Sequence, residues 1–552
     1  MFNNKIKLLD LSNNVKYINI IDFINGDSPK IRTKYLSIIQ QLDKIKIQRE
    51  TLRSHYLYKK NYNLWEMSSV IEKSTLKKNK MNDLLKFIAL QEILNQSEVK
   101  EITLFDCNKN VAKIFDNQKI KINKKFSFTQ FFSYFEKSSF FVILKYLIFL
   151  LRNFSFIKQK YELKKNSIFF LSYYAHLNKG KEHTSWGNLY KKYNLNNNFF
   201  YFFLPSRKNF LFKNQNYLFI NNFFQYKDFF QIIKNFFGYK KKFKMIKNQL
   251  FNIEKNTELK NACMILQNDI EESLNGFLLL ENLTWVTLFD RMMSEIPFQR
   301  KGIYIYENQP WERAFINAWK KYNHGELYGF VTASIHYWLL SYLDTNYLLS
   351  SRPKYVICSS EFTKLSLKEN NFDENSIIIN ETLKYDKIYK KQKIINKSEK
   401  KNLVVFGDYF RPINENLLNI INKISLNKDI NQKYKLYFKP HPENYYWKLN
   451  KKIEVIKNKK DISFSVAICP NTSIVSIELI DSEIKTLIYK DNDFVDLSPL
   501  KNQDESFKRL YFNNSHSLQL LLTNDDNNLN IQKLNYFLKS EKLSNWENLL
   551  ND

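Results

Sequence analysis

The sequence predicts an α/β protein built from two Rossmann-type halves joined near residue 350. Three observations carry this. Short runs of β-branched and aromatic residues alternate with helix-like stretches along most of the 552 residues, the pattern of parallel-sheet layers. Several runs stop abruptly at loops rich in Pro, Asn or Gly, as strands do at the edge of an open sheet where ligands collect. The alternation then restarts after Ser351-Arg352-Pro353. A chain this long exceeds one ordinary core, and the domain boundaries are placed at 1–345 and 346–552.

In the first half, Lys16–Ile24 reads as a strand. Ser28-Pro29 is a helix start signal, a capping Ser with Pro in the first turn, for a helix over about 30–50. A second helix is expected over 82–97, and Glu101–Asp106 is a short strand. Alternation here again argues for parallel layers. Residues 125–160 break the pattern as a hydrophobic helical insertion. Phe140–Leu151 is nearly all apolar, with Lys145 in its middle and Lys137, Arg152, Lys158 and Lys160 around it. It falls short of the ~20 residues a bilayer core needs. A buried core helix and an interfacial membrane helix both fit it, and a true span would need more length.

Asn166–Tyr174 is a strongly apolar strand ending in the polar loop His176–Trp186. A helix over 187–194 and a strand over Asn198–Phe203 follow. Residues 206–250 are aromatic and Lys-rich, read as loop and helix with a basic face, and 270–297 reads as helical. The strand Gly302–Tyr306 is cut off by Glu307-Asn308-Gln309-Pro310, with a helix over Trp311–Tyr322 and a strand over Glu326–Val331 behind it. In the second half, Lys354–Cys358, Ser376–Asn380, Asn402–Asp408, Tyr434–Phe438, 463–468 and Lys485–Tyr489 read as strands. Helices are expected after Ser359-Ser360, over 413–426 and over Ser473–Ile480, and the Lys-rich 384–401 reads as a solvated linker.

The formal net charge is +30. It favours an anionic neighbour such as a lipid surface, a nucleotide or nucleic acid, although abundant Lys, Asn and Ile also have the look of an A/T-rich genome. No recognised nucleic-acid motif is present, and the aromatic residues sit in apolar strands rather than among basic repeats. Four widely spaced cysteines, Cys107, Cys263, Cys358 and Cys469, form no CxxC pair, so neither a zinc site nor a disulfide framework is indicated. A reducing cytoplasm fits. The first residues lack the apolar core and small-residue cleavage site of a secretory signal.

The chemistry is expected at two places. Lys439-Pro440-His441-Pro442 lies at the C-terminal end of a strand, where two prolines stiffen the turn and fix where His441 points; Lys439 and His441 can donate to a phosphate oxygen. Pro470-Asn471-Thr472-Ser473 lies between a strand and a helix and reads as an anion site or as plain capping. Glu478, on that helix, is a candidate for a ribose diol or an ordinary helix acid. Asp408, behind Val404-Val405-Phe406-Gly407, could line a donor site or cap its loop. In the first half Glu307 ends a strand, and a carboxylate there can take a proton from an acceptor hydroxyl or stabilise an oxocarbenium-like transition state; a helix N-terminal acid is the bland alternative. His176, Glu182 and Asn308 are acceptor-side candidates. Asp491-Asn492-Asp493 has a metal-binding spacing but sits in a polar loop, so no essential metal is expected.

Strand–Lys439-Pro-His-Pro442 followed by strand–Pro470-Asn-Thr-Ser473–helix resembles the C-terminal domain of GT-B fold glycosyltransferases, closest to those using CMP-activated acidic sugars. Lys-Pro-His-Pro also occurs in polyol-phosphate polymerases of teichoic acid synthesis. Tyr306-Glu-Asn-Gln-Pro-Trp-Glu-Arg313 with Gly329-Phe330, and Leu171-Ser-Tyr-Tyr174 with Ser185-Trp186-Gly187, resemble a bacterial surface-carbohydrate (O-antigen) biosynthesis family. That family has Gln-His after Gly-Phe; this chain has Val331-Thr332, which makes His336 the candidate replacement. The resemblance spans about 165–500 and implies two domains facing a cleft. It also implies a nucleotide-sugar substrate with no cofactor, and a sialic- or ulosonic-type acid moved from CMP to a lipid-linked glycan at the inner membrane face. The alternatives are a polyol-phosphate or UDP-sugar transferase of the same fold and, in another class, a basic nucleic-acid-binding protein or a non-catalytic scaffold.

Overall fold

The computed structural model describes residues 4–75, 80–95, 99–107, 114, 120–124, 138–153, 163–173, 177–178, 182–183, 186–187, 189, 198–202, 217–253, 257–332, 334–342, 351–383, 400–442, 444, 447–456, 462–500, 510–523, 536–540 and 542–551. Most of the expected helix over 187–194 and most of the linker over 384–401 lie outside these residues. The chain forms two compact units. Unit 1 holds Met1–Val331, Leu339–Ile357 and Leu367–Ile378; unit 2 holds Thr332–Trp338, Cys358–Ser366 and Ile379–Asp552. The α/β class with two Rossmann-type sheets, expected from the sequence, is the one observed.

Unit 1 opens with β1 (Lys5–Asp10), β2 (Val15–Asn19), β3 (Val99–Cys107) and β4 (Ile120–Lys124), in sheet order β2-β1-β3-β4. The parallel layers expected here are found only between β3 and β4; β1 is antiparallel to both its neighbours. A tight turn explains it. Asn13 takes φ 65°, and Asn14 donates from its backbone and side-chain nitrogens to the Asp10 carboxylate at 2.7 and 3.1 Å. So short a connection joins only antiparallel strands. The strand read over Lys16–Ile24 ends early because the Asn19 side chain accepts from Ile21 N and caps a helix, Ile20–Gly26. The helices α1 (Ser28–Lys44, with Pro29 in its first turn) and α2 (Met81–Leu94) pack together.

The larger sheet of unit 1 comprises β5 (Ser167–Tyr173), β6 (Asn198–Phe202), β7 (Tyr217–Phe219), β8 (Gln299–Ile305), β9 (Glu326–Phe330), β10 (Tyr355–Cys358) and β11 (Ile377–Ile379). Its order, β7-β6-β5-β8-β9-β10-β11, is 3-2-1-4-5-6-7 along the chain. From β7 to β10 every pairing is parallel. The β5 run Ser-Ile-Phe-Phe-Leu-Ser is buried throughout, as befits a strand covered on both faces.

Around this sheet stand α3 (Ser139–Asn153), α4 (Tyr226–Phe251), α5 (Phe277–Glu295) and α6 (Pro310–Lys321). The helix expected over 270–297 is broken at Gly276, where a Cβ would stand 2.4 Å from Glu272 Oε2. The apolar run at 140–151 is α3, and the core reading fits only one stripe of it: Val142, Tyr146 and Leu150 are buried while most of its other apolar side chains are exposed.

Unit 2 has one sheet, of β12 (Lys401–Phe406), β13 (Tyr434–Lys439), β14 (Ile453–Val455), β15 (Val466–Pro470), β16 (Lys485–Tyr489) and β17 (Tyr511–Phe512). The order is β14-β13-β12-β15-β16-β17, or 3-2-1-4-5-6, and all pairs are parallel. Side chains of β12 alternate as a two-faced strand requires. Leu403 and Val405 join Leu417 and Ile421 of α7 (Arg411–Ile424), while Val404 and Phe406 join Cys469 and Leu479 on the other face. Late segments complete this unit. Leu538 N donates to Ser359 O at 2.8 Å and Thr382 N to Leu538 O at 2.9 Å. Trp546 is fully buried and its Nε1 donates to Glu381 O at 2.7 Å.

Candidate functional site at the sheet switch points

In an open sheet of order 3-2-1-4-5-6 the connections leave β12 and β15 toward opposite faces, and the crevice beyond their carboxyl ends is the place for a ligand. Asp408 sits two residues after β12 and Thr472 two after β15, and the Thr472 hydroxyl donates to the Asp408 carboxylate. Three loops meet at Asp408. Its other oxygen accepts from Phe410 N at 2.6 Å, its amide donates to Asn414 Oδ1 at 3.0 Å, and its carbonyl accepts from Asn444 Nδ2 at 3.0 Å. Gly407 N extends the ladder to Lys439 O at 2.9 Å. A Cβ on Gly407 would come within 3.2 Å of His441 N and 3.0 Å of Asn414 Oδ1, so a larger residue would have to push the Lys439–Pro442 turn or Asn414 back by a few tenths of an ångström.

The His441 ring lies 5.9 Å from that of Tyr409. Lys439 Nζ donates to Pro440 O at 3.2 Å, and burial lowers its pKa below the usual ammonium value. Burial likewise raises the Asp408 pKa, against the opposing hydrogen bond from Thr472. The expected phosphate role of Thr472 meets a constraint. An ionised carboxylate can only accept, so the proton of Thr472 is already given to Asp408 and its hydroxyl offers a ligand lone pairs. Side-chain donors on these loops are carried by Lys439, His441 and Ser473.

Plain capping describes only Ser473 in the Asn471-Thr472-Ser473 loop. The helix expected from Ser473 is α8 (Val475–Ile480), its cap residue is Ile474, and the Ile474 side chain makes no cap bond. Asn471 Nδ2 donates instead to Asp496 Oδ1 at 3.1 Å, and Ser473 Oγ accepts from Val475 N at 3.3 Å. Glu478 is buried beside Cys469, whose thiol pKa is raised by burial first and by the Glu478 charge second. The structure thus gathers Asp408, Lys439, His441 and Thr472, and sets Glu478 apart with the Cys469 thiol. Asp491 is occupied by Asn416 Nδ2 at 2.9 Å, Tyr489 OH at 3.1 Å and Asp493 N at 2.8 Å.

Unit 1 repeats the geometry. Its order reverses between β5 and β8, and Glu307 stands two residues beyond β8. The adjacent helix α6 starts with a capping box: Pro310 in the first turn, and Gln309 paired with Glu312. The fully buried Glu312 carboxylate accepts from the amides of Glu307 (2.9 Å), Asn308 (3.0 Å) and Gln309 (2.9 Å), and burial raises its pKa well above the usual carboxylate range. Glu312 therefore shapes the turn, while the half-buried Glu307 accepts at its Oε2 from Gln309 Nε2. Asn308 adopts φ 55° and its Nδ2 donates to Ser341 O, which makes it a turn-former. Tyr173, ending β5, accepts from Trp311 Nε1 at 2.9 Å. Its pKa is raised by burial first and by Glu307 second, so the two switch-point residues feel one another.

Of the remaining acceptor-side candidates, His336 alone has a described side chain. His336 belongs to unit 2, where it is half-buried, its pKa lowered by desolvation, and its Nδ1 hydrogen-bonded to Leu497 O. His176 lies outside the described residues, as does the side chain of Glu182, whose backbone pairs in a short hairpin with Asn178. Asn414, Asn444 and Tyr173 were missed by sequence reasoning. The first two are buried amides just downstream of Gly407-Asp408 and of Lys439–Pro442, and a polar amide so close behind a motif was the available signal.

No protein-family model matches the chain, and no curated protein does. Solved structures similar to it include a UDP-N-acetylglucosamine 2-epimerase from Methanocaldococcus jannaschii, with 11% identity over 70% of this chain and 99% of that one and a TM-score of 0.36. A lipopolysaccharide outer-core galactosyltransferase in its apo form has 10% identity over 64% and 87% at 0.35. A trehalose 6-phosphate synthase from Burkholderia multivorans has 8% over 67% and 91% at 0.37. Likenesses this remote carry no argument; the fold and site rest on this chain's own strands and side chains.

Proposed function

We propose that the chain is a glycosyltransferase of the GT-B type. Unit 2 holds the nucleotide of an activated sugar and unit 1 contributes the catalytic carboxylate. The observation that carries this is the meeting of the Asp408, Lys439–Pro442 and Thr472 loops at the switch point of a 3-2-1-4-5-6 sheet. Lys439 and His441 supply positive charge to a leaving phosphate without a metal, with Ser473 as a neutral donor and Thr472 accepting from a sugar or ribose hydroxyl. Asn471 holds the loop through Asp496, and Glu478 stays buried beside Cys469. Glu307, steadied by Gln309, takes the proton of the acceptor hydroxyl. The resemblance of the Lys-Pro-His-Pro and Asn-Thr-Ser motifs favours a CMP-linked sialic- or ulosonic-type acid as donor. The acceptor is proposed to be a glycan on a lipid carrier in bacterial surface-polysaccharide synthesis, which puts the enzyme on the inner face of the cell membrane.

The test compares CMP, UDP and CDP by isothermal titration. CMP is expected to bind tightest, and His441→Ala to weaken it ~10-fold or more, as loss of a charge-assisted hydrogen bond would. Glu307→Gln is expected to keep that affinity and to cut turnover of CMP-sugar by ~100-fold or more. UDP binding as tightly as CMP would move the donor to a UDP-sugar. Full turnover in Glu307→Gln would overturn the catalytic assignment.

A further inference from the structure

Two helices of unit 1 turn an apolar and cationic face to solvent. On α3, Phe140, Leu144, Leu147, Ile148 and Leu151 are 77, 42, 39, 42 and 67% exposed. Their spacing puts them on one stripe of the helix. The opposite stripe is packed: the Tyr146 hydroxyl hydrogen-bonds Thr284 Oγ1 of α5 at 2.7 Å, and the Tyr146 ring stacks 6.2 Å from Phe229 of α4. Lys240 of α4 donates to Ser139 of α3 at 2.5 Å. On α4, next to this contact, Tyr226, Phe230, Phe237 and Met245 are 75, 70, 46 and 59% exposed, with the exposed Lys234, Lys241 and Lys244 among them.

The charge on this face has one sign. α3 carries no acidic residue, and the one acid of α4, Asp228, is buried and ion-paired with Arg291. Glu271 and Glu272, on the neighbouring helix, lie 2.9 Å from Lys247 and 4.0 Å from Lys145. Contiguous exposed apolar surface of this kind marks an interaction site. No helix among the described residues is long and apolar enough to cross a membrane, and the 15 residues of α3 reach only ~22 Å against a ~30 Å hydrocarbon core. Bulky apolar side chains set among lysines match the headgroup zone of an anionic bilayer, where the rings enter the acyl boundary and the ammonium groups meet phosphates.

We propose that α3 and α4 form a bilayer-docking face that lies in the plane of an anionic membrane surface. Its purpose rests on the reading of a lipid-linked acceptor, but its test is separate from the nucleotide site. The full chain is floated with vesicles of phosphatidylcholine alone or mixed with phosphatidylglycerol. Binding is expected to the mixed vesicles, weakly to phosphatidylcholine alone, and to fall as salt screens the lysines. Phe140→Ser with Leu147→Ser is expected to lower the bound fraction on mixed vesicles ~10-fold. Lys234→Gln with Lys241→Gln should weaken binding to the mixed vesicles only. All these positions are exposed, and unchanged CMP binding in each variant reports an intact fold. Equal flotation of wild type and both variants overturns the proposal, as does a concentration-dependent dimer that the Phe140→Ser, Leu147→Ser variant abolishes. Loss of CMP binding in the wild type, with vesicle binding kept, would instead count against the nucleotide reading.

Discussion

The hydroxyl of Thr472 donates to the carboxylate of Asp408, 64 positions earlier in the chain, and so closes the gap between the two strands at which the sheet of unit 2 reverses. Asp408→Asn turns this bond around. The new amide nitrogen donates to Thr472, its oxygen still serves Phe410 N, and the threonine proton becomes available to a phosphate. One added hydrogen bond is worth about 1 kcal/mol, so CMP is expected to bind several-fold tighter to Asp408→Asn in isothermal titration. Weaker binding would show that the negative charge itself is needed.

The same substitution has a pH signature. Burial raises the Asp408 pKa above its ordinary value of 3.8, so folding favours the protonated form. This contribution is present below the unfolded-state pKa and is lost as pH rises through the folded-state value. Asparagine does not ionise. The melting temperature of Asp408→Asn minus that of the wild type is therefore expected to increase from acid toward neutral pH and then level off. A flat or falling difference in a pH series of thermal melts would refute the assignment.

Glu312 is a third lever, acting on stability. Its carboxylate satisfies three turn amides, those of Glu307, Asn308 and Gln309. Glu312→Ala strands them, and is expected to cost about 3 kcal/mol in urea denaturation. Glu312→Gln, which keeps one acceptor oxygen, should recover part of that loss. Activity in the alanine variant should fall as well, because Glu307 hangs on the same turn.

Much of this was readable from local pattern. Asn402–Asp408 announces a buried strand ending in Gly-Asp, and Gly302–Tyr306 announces another ending in Glu307; a strand end is a local event, set by where an apolar run meets a turn. Pairing is not local. Nothing near Thr472 says that its partner is Asp408, and nothing near Tyr173 says that it accepts from Trp311. Alternation of strand and helix also leaves strand direction open, which is why parallel layers were expected in the first segment, where the Asn13-Asn14 turn instead sets β1 and β2 antiparallel. His336 shows the same limit. It follows the β9 strand of unit 1 by only a few residues, yet the chain has already passed into unit 2, where Leu497 claims its ring.

The burial of Trp546 against Glu381 has a consequence for biosynthesis. The segment that begins unit 2's main stretch and the one that seals it are separated by 165 residues. Domains generally fold as they leave the ribosome, the earlier part of the chain first. Here the Glu381 carbonyl, just beyond β11, waits for its partner until Trp546 has emerged. A chain stopped short of Trp546 would therefore leave the Glu381 carbonyl without this bond and the space of a fully buried indole empty, and truncation there is expected to destabilise the unit.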